Sequence, residues 1–158
     1  MKTKEILKSQ YRASIQMLKD AVENCPDSLW NNEAYTNPFW HVVFHAIFYT
    51  HFYLHATQDN FIPWEKHKDE LVSLEDDPGD EIYTKEEIID YIAYFERKID
   101  ELVDDLDLEA GSGFYWLPFN KLELQLYNIR HIQHHTGELS ERLGKFGDIE
   151  VGWVGMMP

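Results

Sequence analysis

Apolar positions recur every three or four residues in four long stretches of the chain, and this spacing predicts α-helices. The first helix is predicted over Glu5 to Val22 and ends at Cys25-Pro26. The second is predicted to start at Asn37-Pro38, because a capping residue followed by proline at the first helical position is a start signal. It should extend to about Ala56. No stretch shows a convincing strand alternation, so the pattern favours an all-α fold.

The third and fourth helices are predicted in the second half of the chain. Thr84-Lys85-Glu86-Glu87 has the residue types of a capping box and should open the third helix. The fourth is predicted from about Phe119 to Leu143, with Gly144 as its end. The positions expected to face the core on this helix are Leu122, Leu126, Ile129, Ile132 and Leu139.

A connection of about 27 residues, 57–83, separates the second helix from the third. Loops of this length in a compact domain usually cross over or shape a site. The pattern therefore predicts a four-helix bundle with a long crossover between helices 2 and 3. A chain of 158 residues suits one domain, so we expect residues 1–158 to form a single one.

The formal net charge of −15 disfavours two classes of partner. An acidic surface repels phosphate backbones and anionic membranes, so we expect no nucleic acid and no membrane surface as partners. Ala34 to Gln58 lacks charged residues and could cross a bilayer by length, but its four histidines favour a central bundle helix beside a polar site. Cys25 is the only cysteine, which excludes an internal disulfide and a cysteine zinc cluster. With no apolar signal core after Met1, the sequence predicts a cytoplasmic protein.

Seven of the eight histidines fall in two short tracts. His131 and His135 are four residues apart, so on a helix they share one face, about 40° apart in projection and about 6 Å apart along the axis. This spacing lets two imidazoles bind one metal ion, and a third histidine from the first tract would complete a three-ligand site. His41 and His45 share a face, and either can supply that ligand. The remaining histidines fit less well, because they point to other faces: His51, His55 and His134.

Two segments carry a resemblance to a known family. Pro38-Phe39-Trp40-His41-Val42-Val43-Phe44-His45 and the terminal Tyr127-Asn128-Ile129-Arg130-His131-Ile132-Gln133-His134-His135-Thr136-Gly137-Glu138-Leu139 resemble the DinB/YfiT-like superfamily, as do the helix order and the long connection. The resemblance implies a four-helix bundle that binds a divalent metal ion, often zinc or nickel, through His45, His131 and His135. Family members often have Gln at the position of Glu138, whose carboxylate could hold a ligand or reach the metal.

The resemblance also implies an activity. Some relatives are thiol S-transferases that act with low-molecular-weight thiols such as bacillithiol or mycothiol, and others are maleylpyruvate isomerases. We therefore expect a metal-dependent transferase in which an activated thiol or water attacks a small electrophile. Two alternatives remain open: a metal-dependent hydrolase, and a non-catalytic metal-binding or stress-associated protein that works as a homodimer through exposed helix faces.

The surroundings of the metal distinguish these alternatives. Open coordination beside a pocket favours catalysis, whereas a ligand shell closed by His41 or Glu138 favours a structural ion. Tyr127 and His134 are further candidates for the lining of such a pocket.

Overall fold

The computed structural model describes residues 2–158, and the described chain is helical with one isolated β-bridge between Gly111 and Asn120. The helices are α1 (Thr3–Asn24), α2 (Asp27–Trp30), α3 (Phe39–Phe52), α4 (Lys85–Glu96), α5 (Ile99–Asp105) and α6 (Lys121–Gly147). Helix α1 packs on α6, α4 and α5, while α3 packs between α6 and α4. The all-α bundle with its long connection between the second and third long helices confirms the predicted fold class.

Several helix boundaries differ from the predicted ones. Helix α3 ends at Phe52, four residues before the predicted end at Ala56, and residues 53–57 form a turn. The predicted third helix is divided into α4 and α5 at Arg97-Lys98. The Thr84 capping box is present: the Thr84 side chain accepts from the Glu87 backbone and the Glu87 carboxylate accepts from the Thr84 backbone.

The end of α6 corrects the prediction at Gly144. The helix continues through that glycine to Gly147, and Asp148 ends it in the left-handed region with φ of 56°. Asp tolerates this conformation better than most side chains do, which is why a non-glycine residue can end the helix here. Leu126 was also predicted to face the core, but 55% of its surface is exposed.

The crossover, residues 57–83, packs closely on α3 and α4. The Trp64 ring stacks on the Tyr91 ring with centroids 4.7 Å apart, and Tyr83 lies 4.7 Å from Phe44. Leu71 is buried against the core at the end of a short 3₁₀ turn. These apolar contacts fix the position of residues 71 and 72 over the first half of α3.

Helix α3 is the most apolar element, with eleven of its fourteen residues buried. Its burial between α4 and α6 explains the absence of charged residues in that part of the sequence. Within residues 2–158 no helix combines the length and apolar character that crossing a bilayer requires.

Candidate metal centre

Three histidines from two helices meet where α3 packs against α6. His45 comes from α3, and His131 and His135 come from successive turns of α6. One ring nitrogen of each lies within 4.8 Å of the others, and the Nε2 atoms of His45 and His131 are 3.1 Å apart. Within the described residues 2–158, this is the one group of three or more His, Cys, Asp or Glu side chains that converges so closely.

The crossover orients His45. Its Nδ1–H donates to the backbone carbonyl of Val72 at 2.8 Å, and a carbonyl can only accept. When the ring is neutral, Nε2 therefore carries a lone pair, and this atom faces His131. A hydrogen bond on the far ring nitrogen is the usual way in which proteins fix the tautomer of a metal-binding histidine.

Glu138 and Arg142 orient His135 in a similar way. The Nδ1 atom of His135 lies 3.2 Å from the Glu138 carboxylate, which also accepts from the guanidinium of Arg142. Arg142 in turn donates to the Asn37 carbonyl at 2.8 Å and lies over the ring of Tyr35. The carboxylate is thus held in place one turn beyond His135, and the Nε2 atom of that histidine makes no hydrogen bond to residues 2–158.

His131 is the least supported of the three rings. Its Nδ1 atom is buried and has no hydrogen-bond partner among residues 2–158. Buried polar atoms of this kind are uncommon because each costs desolvation energy. The ring is kept in place by its neighbours instead, since the His45, His135 and Tyr49 rings all have centroids within 5.6 Å of it.

Burial keeps all three rings uncharged at neutral pH. Burial, with a smaller effect of the neighbouring imidazoles, lowers the pKa of His45 to about 4 and that of His131 to about 3. Burial also lowers the pKa of His135, although the Glu138 carboxylate opposes this effect. Neutral imidazole is the protonation state that binds metal ions.

His41 lies apart from the three converging rings. It is fully buried, and its Nε2–H donates to the Leu71 carbonyl at 3.0 Å. The sequence left His41 and His45 as alternatives for the third position, and the structure places His45 beside His131. His134 is exposed, with its ring centroid 5.1 Å from that of His135.

A cavity of about 410 Å³ opens beside His131 on the outer side of α6. Tyr127, Arg130 and His134 line it together with Gln133. Among residues 2–158, no carboxylate lies within 4.0 Å of the Arg130 guanidinium. Tyr127 and His134 thus lie on the wall of this cavity, and their part in a metal site stays a prediction.

Sequence reasoning missed three groups that surround the triad: the Val72 carbonyl, Tyr49 and Arg142. Tyr49 lies one turn after His45, and the spacing could have revealed it; its ring centroid is 4.8 Å from that of His45. Arg142 lies one turn after Glu138, so the same four-residue spacing could have revealed it. No sequence signal marks a backbone carbonyl in a long connection.

Comparison with known proteins identifies the family. The sequence model of a family described as the DinB superfamily matches residues 10–139, a range that contains all three converging histidines. No curated protein and no solved structure matches the chain.

Proposed function

Since the chain belongs to the DinB superfamily, we propose that it is a single DinB-like domain that binds a divalent metal ion through His45, His131 and His135. We further propose that it is a metal-dependent transferase, in which a thiol or water attacks a small electrophile. Zinc and nickel are among the metals that imidazole ligands suit.

The convergence of three neutral imidazoles is the observation that carries the proposal. Two imidazole nitrogens bound to one tetrahedral zinc ion at about 2.0–2.1 Å lie about 3.3 Å apart, and the Nε2 atoms of His45 and His131 are 3.1 Å apart. Two lone pairs at this separation repel each other unless a proton or a cation lies between them. The donor set therefore fits a shared cation.

The surroundings support an open site rather than a closed one. The two groups that could complete the ligand shell are engaged elsewhere, His41 with the Leu71 carbonyl and Glu138 with His135 and Arg142. The cavity beside His131 offers room for a substrate. Three protein ligands and a free position are typical of catalytic metal sites.

The protein's own groups have distinct roles in this proposal. Val72 and Glu138 hold the rings of His45 and His135 in the orientation that leaves Nε2 free. Arg130 and His134, on the cavity wall, contact the substrate. When bound, the ion supplies Lewis-acid chemistry, which lowers the pKa of a coordinated water or thiol.

The test starts with elemental analysis of protein purified without an affinity tag, followed by a thiol-conjugation screen. Bacillithiol, mycothiol, glutathione and cysteine are each offered with a chromogenic aryl halide. We expect about one divalent ion per chain and a conjugation rate that follows the metal content. Full activity in a metal-free sample would refute the mechanism.

Two controls separate the alternatives. Substrate hydrolysis without thiol would favour the hydrolase, and metal binding without any turnover would favour the non-catalytic protein. Cytoplasmic location and homodimer formation stay predictions.

A further inference from the structure

A second cavity lies on the opposite side of α3 from the three converging histidines. Its volume is about 350 Å³, within the range of small-molecule sites. It is bounded by the end of α3, by the loop that follows, and by α4 and α5. None of the three converging histidines is among its walls, as far as residues 2–158 are concerned.

Two buried imidazoles face this cavity. His51 and His55 are both at least nine-tenths buried and both line it. The Nδ1–H of His55 donates to the His51 carbonyl at 3.0 Å, and the Nδ1 atom of His51 lies 3.1 Å from the Tyr91 hydroxyl. Their Nε2 atoms make no hydrogen bond to the described residues 2–158. Because a carbonyl fixes its Nδ1–H, neutral His55 presents an acceptor lone pair to the cavity.

Apolar and aromatic side chains form the rest of the inner surface. Leu54 and Leu106 are buried, and Leu102 is partly buried beside them. The ring of Tyr94 also faces the cavity and lies 5.7 Å from the His51 ring. A ligand in the cavity would therefore contact leucine side chains on the inner surface and the Tyr94 ring at one side.

The charged groups at the mouth favour a cation. Glu101 and Asp105 lie on the mouth side of α5, and Lys98 is paired with Glu101 at 3.6 Å. Asp105 has no cationic side chain within 4.0 Å among residues 2–158. The net charge of −15 adds to this preference, because it repels anions over the whole surface.

We propose that this cavity binds a small primary amine: an ammonium group carried on a compact apolar body. The ammonium group has only donors, which match the Nε2 acceptor of His55 and the Asp105 carboxylate. Tyr94 adds a cation–π contact, and the leucines bury the apolar part. This site is independent of the proposed metal chemistry, because the two share no residue.

The test uses benzylamine as the probe, with benzyl alcohol and benzoate as neutral and anionic analogues of the same shape. Methyl-labelled full-length protein is titrated and followed by NMR. We expect saturable shifts at Leu54 and Leu102, an Nε2 signal of His55 that moves with them, and an affinity for benzoate at least about tenfold lower. The leucine shifts should be the same before and after zinc saturation, which excludes binding of the amine to the metal.

A pair of isosteric variants checks the charge. Asp105→Asn should weaken benzylamine binding by about fivefold and leave benzyl alcohol unaffected. Asp80→Asn makes the same change of net charge in the exposed crossover turn, and it should alter neither. Both positions are on the surface, so both variants should fold.

Three results would overturn the proposal. They are the absence of saturable shifts at Leu54 and Leu102, equal affinity for benzoate and benzylamine, and equal loss of affinity in Asp105→Asn and Asp80→Asn. Failure of this test leaves the metal proposal untouched, because the metal and conjugation assays do not depend on this cavity.

Discussion

The pairs His131/His135 and His51/His55 have the same spacing in the sequence but different surroundings in the fold. His131 and His135 lie within the long, regular helix α6 and face His45. His51 lies near the end of α3, and His55 follows the helix, so its ring turns back to the His51 carbonyl. Both pairs are largely buried, and burial lowers the pKa of all four rings.

The difference shows that four-residue spacing alone does not bring three metal-ligating side chains together. What matters is which ring nitrogen stays free and whether a third donor faces the pair. His45 supplies this donor to the α6 pair. Among residues 2–158, no third His, Cys, Asp or Glu side chain converges in this way with His51 and His55, which line the second cavity instead.

The largest expected effect separates the two pairs by metal affinity. His135→Ala should weaken zinc binding by more than about a hundredfold, because losing a ligand costs more than losing a group that merely orients one. His55→Ala is the matched control and should bind zinc as the parent protein does. Isothermal titration of both variants checks this, and the reverse outcome would place the metal at the α3 pair.

Thermal unfolding should give the next largest effect. At a free zinc concentration one hundred times Kd, binding stabilises the folded chain by about 2.7 kcal/mol. For a domain of this size this corresponds to a rise in Tm of roughly 5–11 °C. The rise should persist in His55→Ala and vanish in His135→Ala. Equal melting of the metal-free and zinc-loaded parent protein would count against the site.

Acid should also lower the free energy of unfolding of the metal-free protein, because His51 is buried in its neutral form. Burial lowers the pKa of His51 to about 3, whereas the unfolded chain has a value of about 6.5. The unfolded state therefore binds more protons, so this contribution to stability is complete above about pH 6.5 and is lost as the pH falls toward 3. The loss is on the order of 2 kcal/mol by pH 5.

Urea unfolding at several pH values measures this loss. The free energy of unfolding should fall more steeply between pH 6.5 and 5 in the parent protein than in His51→Gln. Identical slopes would mean that His51 is not the group that takes up the proton.

The smallest expected effect concerns Glu138, whose carboxylate orients the His135 ring. Glu138→Gln keeps the shape of the side chain but removes the charge that holds His135, so zinc affinity should fall by about tenfold. The variant should still bind metal, because all three imidazoles remain in place. A loss as large as that of His135→Ala would instead identify Glu138 as a ligand.

The sequence predicted the parts of the molecule that depend on local periodicity. The four long helices and the shared face of His131 and His135 follow from spacing within one helix. The end of α6 was predicted wrongly at Gly144, because a glycine within a helix costs only about 1 kcal/mol and buried neighbours such as Leu143 offset it.

The parts that depend on contacts between distant segments could not be predicted in this way. The choice between His41 and His45 follows from the way α3 faces α6 and from the carbonyls of residues 71 and 72, which lie about 30 residues away in the chain. Leu126 shares the three- and four-residue spacing of Leu122 and Ile129, yet it is exposed whereas those two side chains are partly buried. The second cavity is formed by α3, the loop that follows it, α4 and α5 together, and no single stretch of sequence encodes it.

The consecutive carbonyls of Leu71 and Val72 hold two histidines that are one helical turn apart. Adding or deleting a residue just before this point would move both acceptors out of register with α3 and misalign the rings together. Tolerance of length variation in the crossover should therefore be confined to its acidic turn, residues 75–81, where the chain is largely exposed and supports neither ring. In an evolving lineage, insertions should accumulate after Val72 and be rare in the dozen residues before it.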